Sequence, residues 1–246
     1  MTLIKDIINQ NKRLANISKI ISDLSEEIKI DSFLVGGCVR DLMLNPLAEA
    51  KDIDIMVEGD GIYFAERLAK KIKVPKIIPF KKFATAKIPN GDFEIEVASA
   101  RLEKYSELSR NPSEVVISNI ENDLLRRDFT INAMAVSLNK KNFGEFFDPF
   151  KGMEDLNNKI LKTPFDPNTT FSEDPLRMMR AAYFSSKLSL NIDPICLESI
   201  KNNSERILIV SQERKTNELF KILGTKKPSV GLNLSLIHIS EPTRPR

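Results

Sequence analysis

Apolar residues recur every three or four positions over residues 3–29, which is the spacing of one or two amphipathic helices. A different pattern begins at Phe33, where a short apolar run stops at Gly36–Gly37. Over residues 52–57, acidic and apolar side chains then alternate, and this alternation predicts a strand. The two glycines predict a turn into a short helix.

Residues 84–88 and 93–98 predict two further strands, and Pro89-Asn90-Gly91 between them is a strong hairpin signal. The polar stretch 102–122 predicts a loop. From about residue 150, strand-like alternation ceases and helical spacing follows. The pattern therefore predicts an α/β (α+β) chain, in which a mixed sheet of about five strands backed by helices precedes an all-helical region.

Asp52 and Asp54 are two residues apart, so on a strand they project from one face, while Ile53 and Ile55 face the other way. Neighbouring carboxylates repel each other unless a cation joins them, and hard oxygen ligands of this kind suit Mg²⁺. Gly36–Gly37, ahead of a helix, would let a phosphate approach backbone N–H groups. The sequence thus indicates a phosphate-binding turn beside a metal-binding strand. The alternative is a tight turn and an exposed acidic strand without a ligand.

Composition narrows the possible chemistry. The net charge of +3 is too small to imply a nucleic-acid partner by itself. Cys38 and Cys196 are too isolated for a zinc site or a disulfide framework. The single histidine, His238, lies in a C-terminal tail that does not fit the pattern of the chain, so mechanisms that need a histidine base or ligand are excluded. No apolar run approaches a membrane span, and we expect a cytoplasmic protein.

Two segments carry further candidate groups. Glu94 and Glu96 would share one face of their strand, and either one could complete a three-carboxylate metal site. The segment 70–87 holds seven lysines and no acidic residue. It is interpreted either as a track for RNA phosphates or as a solvated edge strand guarded by lysine.

Arginines mark the remaining candidates. Arg126 and Arg127 could grip a triphosphate or pair with Asp128. On the helix that Pro175 would open, Asp174, Arg177 and Arg180 share a face at three-residue spacing. An intrahelical ion pair is the modest interpretation.

The alternative interpretation of that face follows from base chemistry. Cytosine and adenine share an exocyclic amine next to a ring acceptor, whereas uracil and guanine present a carbonyl there. A carboxylate and a guanidinium side by side would therefore accept C and A and reject U and G.

Five motifs in order resemble those of the class II nucleotidyltransferases, which comprise the tRNA CCA-adding enzymes and bacterial poly(A) polymerases. The resemblance covers Phe33 to Leu223. Its motifs are Gly-Gly-x-x-Arg-Asp with Asp-x-Asp, Arg-Arg-Asp-Phe-Thr-Ile-Asn-Ala, Asp-Pro-x-x-Gly-x-x-Asp-Leu, Glu-Asp-x-x-Arg-x-x-Arg and Glu-Arg-x-x-x-Glu-Leu. Tyr183 stands where some members carry a further arginine.

The resemblance implies a site. Asp52 and Asp54, with Glu96 as the third carboxylate, would be catalytic and would hold two Mg²⁺ ions. The residues that would bind the nucleotide are Gly37, Arg40, Arg127, Asp174, Arg177 and Arg180. Asp174 and Arg177 would select the base, while Asp128 and Asn132 would hold the shape of their motif. The last motif, with Glu213, Arg214 and Glu218, would brace the base-reading helix.

The resemblance also implies the organisation and the partners. We expect an N-terminal helix at 1–30, a nucleotidyltransferase head at 31–158, a helical neck at 159–234 and a non-native tail at 235–246, on a chain cut short of its RNA-holding domains. The expected activity adds CCA to tRNA 3′ ends from CTP and ATP, without a membrane or DNA partner. A poly(A) polymerase, a CC- or A-adding enzyme and a non-catalytic RNA-binding fragment are the alternatives, and a phosphohydrolase domain could follow in a longer chain.

Overall fold

A computed structural model describes residues 4–47, 52–91, 93–106 and 109–235. Contacts within the chain define two units. The first comprises Met1–Leu102, Val115–Leu125 and Asn132–Phe150, and the second comprises Glu103–Glu114, Arg126–Ile131 and Lys151–Arg246. Residues 236–246, which make up nearly all of the predicted tail, lie outside the described part of the chain.

The first unit opens with helices α1 (Ile4–Gln10) and α2 (Lys12–Ile28), as the apolar spacing predicts. The Asn11 side chain caps α2 by accepting a hydrogen bond from the Leu14 backbone N–H. The buried face of α2 carries Leu14, Ile17 and Ile21.

The sheet of this unit has seven strands, two more than the sequence indicated. In chain order, the first strands of the sheet and the helices between them are β1 (Ser32–Val35), α3 (Gly37–Leu44), β2 (Asp52–Val57), α4 (Gly61–Lys71), β3 (Ile78–Phe80), β4 (Thr85–Asn90) and β5 (Phe93–Ser99). After β6 (Arg101–Ser106) and β7 (Ser109–Ile117), which form a separate two-stranded sheet, come α5 (Ile120–Leu125), β8 (Ala135–Ser137) and β9 (Phe146–Phe147). The predicted loop at 102–122 is therefore mostly a hairpin, whose polar sequence lacks the apolar alternation that marks a half-buried strand.

The strand order is β3-β4-β5-β2-β1-β8-β9. Only β2 and β5 pair in parallel, and the other neighbours are antiparallel, so the sheet is mixed as expected. Ile53 and Ile55 on β2 are buried, as are Ile95 and Val97 on β5, and this apolar face fixes the register. The opposite face of β2 carries the two aspartates.

Apart from the parts of β6 and β7 that belong to it and a two-residue parallel pair, the second unit is helical. Its helices are α6 (Gly152–Asn157), α7 (Pro167–Glu173), α8 (Leu176–Leu188), α9 (Pro194–Asn202), α10 (Gln212–Leu223) and α11 (Pro228–Ser235), and the strands of its parallel pair are β10 (Ile160–Leu161) and β11 (Asn191–Ile192). α8 lies at the centre of the unit, and its buried Met178 and Ala181 pack in one cluster with Phe171 and Ile222. Across the described ranges, no helix has both the length and the apolar character that a membrane span requires.

Candidate active site

A sharp turn joins β1 to α3. Gly36 has φ 69° and ψ −137°, a backbone conformation that residues other than glycine adopt only with strain. Gly37 is the first residue of α3, and Gly36 occupies the N-cap without a side-chain hydrogen bond. The N-terminus of a helix presents unsatisfied backbone N–H groups and a positive dipole end, which together suit an anion. The turn can therefore receive a phosphate.

Arg40 lies beneath this turn and is buried, with 3% of its surface exposed. Its Nε donates to Asp41 Oδ1 at 2.8 Å, and its Nη1 donates to Asn132 Oδ1 at 2.5 Å. A Cβ on Gly37 would meet Arg40 Nη2 at 3.4 Å. The guanidinium therefore anchors α3 to the segment at Asn132 and pairs with Asp41 under the turn. A direct contact of Arg40 with nucleotide stays a prediction.

Asp52 and Asp54 lie on β2, next to β5. The parallel register pairs Asp52 with Glu94 and Asp54 with Glu96, so four carboxylates point to one face of the sheet. Asp52 is exposed, and the other three are partly buried. The alternation of β2 and β5 thus aligns the acidic residues that the sequence singled out.

The cation closest to the glutamates is Lys87 on β4, which lies opposite Glu96. Its Nζ is 2.5 Å from Glu94 Oε1 and 3.6 Å from Glu96 Oε2. The hydrogen bond to Glu94 raises the pKa of Lys87 above its ordinary value. The hairpin at Pro89-Asn90-Gly91 sets this register, so counting back from the turn would have revealed Lys87, which the sequence reasoning treated only as one lysine of the run at 70–87.

The donors suit Mg²⁺. Asp52 and Asp54 supply hard oxygens, and Mg²⁺ in phosphate-handling sites needs only one or two protein carboxylates beside water and phosphate. Within the described ranges, no group of three or more His, Cys, Asp or Glu side chains could hold a metal ion. The aspartate pair fits the ion because Mg²⁺ needs only one or two carboxylates. A ligand role for Glu96, which contacts Lys87, stays a prediction.

Cys38 lies one residue into α3 after Gly37 and is buried. Burial, together with the negative charges of Asp54, Asp41 and Asp52, raises the pKa of its thiol to about 12. The carboxylates thus bring negative charge close to the start of α3. A bound cation would offset that charge.

The second unit contains the Arg126–Asp128 motif. Asp128 is 9% exposed at its side chain, and its Oδ1 accepts a hydrogen bond from the Phe129 backbone N–H. Its Oδ2 accepts from Arg180 Nε at 2.7 Å and lies 2.6 Å from Arg180 Nη2. This carboxylate raises the pKa of Arg180. Asp128 therefore ties the motif to α8.

Asp174 and Arg177 lie at the start of α8. Asp174 ends α7, and its Oδ1 accepts a hydrogen bond from the Leu176 backbone N–H, as a capping residue does. Arg177 is buried, with 7% of its surface exposed, and its Nη2 donates to the Arg126 carbonyl oxygen at 2.8 Å. That hydrogen bond joins the predicted base-reading arginine to the backbone next to Arg127, which is partly buried. The selection of bases by Asp174, Arg177 and Arg180 stays a prediction.

Of the last motif, only Glu218 is buried. Its Oε1 accepts a hydrogen bond from Lys221 Nζ at 2.7 Å, and its negative charge helps to raise the pKa of Arg180 on α8. Glu213 and Arg214 are exposed on the first turns of α10. The contact between α10 and α8 agrees with the bracing role that the sequence predicts, and Glu218 is the residue whose charge reaches α8.

Residues 32–162 match the family described as the poly(A) polymerase head domain, and residues 189–234 match a probable RNA and SrmB binding site of polymerase A. The A-adding tRNA nucleotidyltransferase of Geobacter sulfurreducens is 39% identical over 212 residues, which are 85% of this chain and 23% of that protein. The CCA-adding enzyme of Limosilactobacillus reuteri is 37% identical over 208 residues, which are 84% of this chain and 49% of that protein. This chain thus spans half or less of these relatives.

Solved structures give the same assignment. The Thermotoga maritima CCA-adding enzyme complexed with tRNA superposes with a TM-score of 0.80 at 31% identity, over 97% of this chain and 55% of that one. A tRNA nucleotidyltransferase complexed with a primer tRNA and an incoming ATP analogue superposes with a TM-score of 0.76 at 30% identity, over 92% and 64%. With the head-domain match covering residues 32–162 of the 246, the chain belongs to the poly(A) polymerase head-domain family of nucleotidyltransferases.

Proposed function

We propose that this chain is a template-independent RNA nucleotidyltransferase that adds CCA to tRNA 3′ ends from CTP and ATP. The observation that carries the proposal is the placement of Asp52 and Asp54 side by side on β2, in the same unit as the Gly36–Gly37 turn, in a member of this family. The CCA-adding and A-adding relatives support tRNA as the acceptor.

In the proposed reaction, the RNA 3′-hydroxyl attacks the α-phosphorus of the nucleotide and pyrophosphate leaves. Enzymes of this family use divalent metal ions, generally Mg²⁺. Asp52 and Asp54, and Glu96 if it turns away from Lys87, would hold two such ions, which would activate the hydroxyl and stabilise charge on the attacking and leaving oxygens. The α3 N-terminus at Gly37, backed by the Arg40 charge, would receive phosphate oxygens, and Arg127 would grip the triphosphate.

Base selection would rest on the start of α8. The Asp174 carboxylate would accept the exocyclic amine of cytosine or adenine, and the Arg177 guanidinium would donate to the ring nitrogen. Arg177 is buried and held by the Arg126 carbonyl, so its geometry is set before the base arrives. A pre-set donor discriminates better because little ordering entropy is lost on binding.

Addition of A alone is the second candidate. Three A-adding relatives, from Geobacter sulfurreducens, Aquifex aeolicus and Halalkalibacterium halodurans, are 39%, 39% and 31% identical to this chain, and the CCA-adding relatives from lactobacilli are 35–37% identical. The residues of the proposed site are compatible with either product. The nucleotide incorporated separates the two candidates.

The test uses the 246-residue chain, Mg²⁺ and labelled CTP or ATP, with tRNAs ending before CCA, after C and after CC. CCA addition requires two C and then one A on the first acceptor, and A addition requires ATP incorporation on the CC acceptor alone. We expect Asp52→Asn to lower incorporation at least 1,000-fold, since one ligand of the ions is lost (order of magnitude, about 4 kcal/mol or more of transition-state stabilisation).

Asp31→Asn is the matched control, because Asp31 carries an exposed pair with Lys141 and lies outside the site. It should keep wild-type incorporation. If Asp52→Asn retained wild-type turnover, the metal assignment would be wrong. If the wild-type chain bound CTP, ATP and RNA but incorporated neither nucleotide, the chain would be a non-catalytic RNA-binding fragment.

A further inference from the structure

One edge of the seven-stranded sheet is strongly basic. β3 is the edge strand, and Lys76, Lys81 and Lys82 flank it in sequence, all of them exposed. The strand itself exposes Ile78 at 48% and Phe80 at 41%. We call the segment Lys76–Lys82 the basic edge. It combines three cations with an exposed aromatic ring over seven residues.

Several exposed lysines elsewhere in this unit are paired with acidic residues. Lys71 pairs with Glu27, and Lys140 pairs with Asp23 and Glu26. For Lys76, Lys81 and Lys82, the structure shows no ion pair with any residue whose placement it describes. The segment 70–87 also lacks any aspartate or glutamate that could neutralise them locally. The basic edge therefore carries uncompensated positive charge.

Lysines on an edge strand can act as guards that prevent pairing with another sheet. That role explains charge, but it does not explain the exposed Ile78 and Phe80, since an edge protected from association gains nothing from apolar side chains in water. Cations beside an exposed aromatic ring are instead the composition of surfaces that bind single-stranded nucleic acid, where lysines contact phosphates and the ring stacks on a base.

We propose that the basic edge binds the backbone of the acceptor RNA, with Phe80 stacking on an unpaired base. The inference rests on the proposed function for the identity of the ligand and adds a binding surface to it. β3 is three strands from β2 in the same sheet, which at ~4.8 Å per strand is about 14 Å. An RNA strand whose 3′ end lies at Asp52 and Asp54 can reach that far.

The test is RNA affinity as a function of salt. The variant Lys76→Gln/Lys81→Gln/Lys82→Gln removes three phosphate contacts and should weaken binding of a labelled tRNA that ends before CCA roughly tenfold or more at ~0.1 M salt. The slope of log K against log[salt] should fall by roughly 2, because each contact contributes about 0.7–0.9. Phe80→Ala should weaken binding without changing the slope, since stacking releases no counterions.

The matched control is Lys5→Gln/Lys12→Gln/Lys19→Gln, which removes the same charge from exposed positions on α1 and α2. It should change the RNA affinity and the salt slope by less than half as much as the basic-edge variant does. Equal losses in the two triple variants would reduce the effect to net charge and overturn the inference. Unchanged RNA binding in the basic-edge variant, with self-association in sedimentation, would show that the lysines are edge guards.

The same experiment separates this inference from the proposed function. If the wild-type chain adds nucleotides while both triple variants keep the wild-type KM for RNA, the proposed RNA binding by the basic edge is wrong and the proposed function stands. If the wild-type chain binds RNA through the basic edge but adds no nucleotide, the proposed function fails and the surface stands. CTP binding should be the same in all variants, because the basic edge contains none of the proposed nucleotide-binding residues.

Discussion

Replacing Lys87 with methionine removes the one cation that contacts Glu94 and Glu96 in the described structure, on a sheet face that also carries Asp52 and Asp54. Methionine keeps much of the length of the side chain and its apolar contacts. The variant therefore tests charge alone. We expect it to be less stable than wild type without Mg²⁺ and to gain more from added Mg²⁺.

The magnitudes follow from the geometry. Lys87 is 34% exposed and its partners are 42% exposed, so loss of the ion pairs costs about 0.2–1 kcal/mol. Lys87 and Asp54 are two strand spacings apart, which is ~10 Å, and a unit charge at that distance from a divalent ion in water is worth about 1 kcal/mol. Removing it should tighten Mg²⁺ binding roughly fivefold, and saturating Mg²⁺ should then raise the Tm of the variant by ~2–4 °C more than that of wild type.

The assay is thermal unfolding at low ionic strength with and without MgCl₂, supported by direct titration of Mg²⁺ in a calorimeter. Lys71→Met is a closely matched control, because Lys71 lies 2.7 Å from Glu27 Oε2 with exposures of 36% and 43%. That pair lies away from the aspartates, so its loss should not alter the response to Mg²⁺. An Mg²⁺-induced shift in Lys87→Met no larger than in wild type and Lys71→Met would refute the electrostatic coupling.

Three further predictions concern single side chains. Arg177→Lys keeps the charge but loses the planar fork, so the ratio of kcat/KM for CTP over UTP should fall about 5- to 150-fold, which is about 1–3 kcal/mol. An unchanged ratio would remove Arg177 from base selection. Gly61→Ala places a Cβ 2.7 Å from the Ser99 backbone nitrogen and should destabilise the chain by ~1–3 kcal/mol in urea unfolding, whereas Gly224→Ala, with its nearest neighbour at 3.5 Å, should not. The Cys38 thiol, with its pKa raised to about 12, should resist alkylation at pH 8.5 in a Cys196→Ser background until urea unfolds the chain. Because the thiol ionises at lower pH in the unfolded chain, the stability that this group contributes should fall as the pH rises from about 9 towards 12. Rapid labelling of the native chain would contradict the burial of Cys38.

Local patterns in the sequence predict several elements of both units well. The β4–β5 hairpin follows from Pro89-Asn90-Gly91 and the alternation on both sides of it, and the structure confirms it. Helix α10 ends at Leu223 with Gly224 as its cap, as expected from glycine after a periodic segment. These features are set within about ten residues of chain, where spacing and turn chemistry carry enough information.

Local sequence patterns do not predict the edge strands of the sheet. β3 and β9 have three and two residues, too few for an alternating pattern, so the sheet has seven strands where about five were expected. β1 and β2 pair antiparallel although a short helix joins them, and only the fit of several strands at once decides that. Short edge strands gain their stability from a neighbour that is distant in sequence, so their own residues need not signal them.

The two arginines of α8 illustrate what spacing alone cannot assign. Arg177 and Arg180 are three residues apart, and the sequence treats them alike as nucleotide-binding candidates. In the structure, two nitrogens of Arg180 contact the carboxylate of Asp128, which is 52 residues away in the chain, whereas Arg177 donates its hydrogen bond to a neutral carbonyl.

A guanidinium that is already neutralised by a buried carboxylate offers little net charge to a nucleotide, and separating the pair would leave the carboxylate unsatisfied at a cost of several kcal/mol. Arg177 keeps its net charge beside Asp174. Discrimination among bases should therefore depend on Asp174 and Arg177, with Arg180 fixing the helix on which they lie, and it is the distant partner of each arginine, invisible in the spacing, that separates these roles.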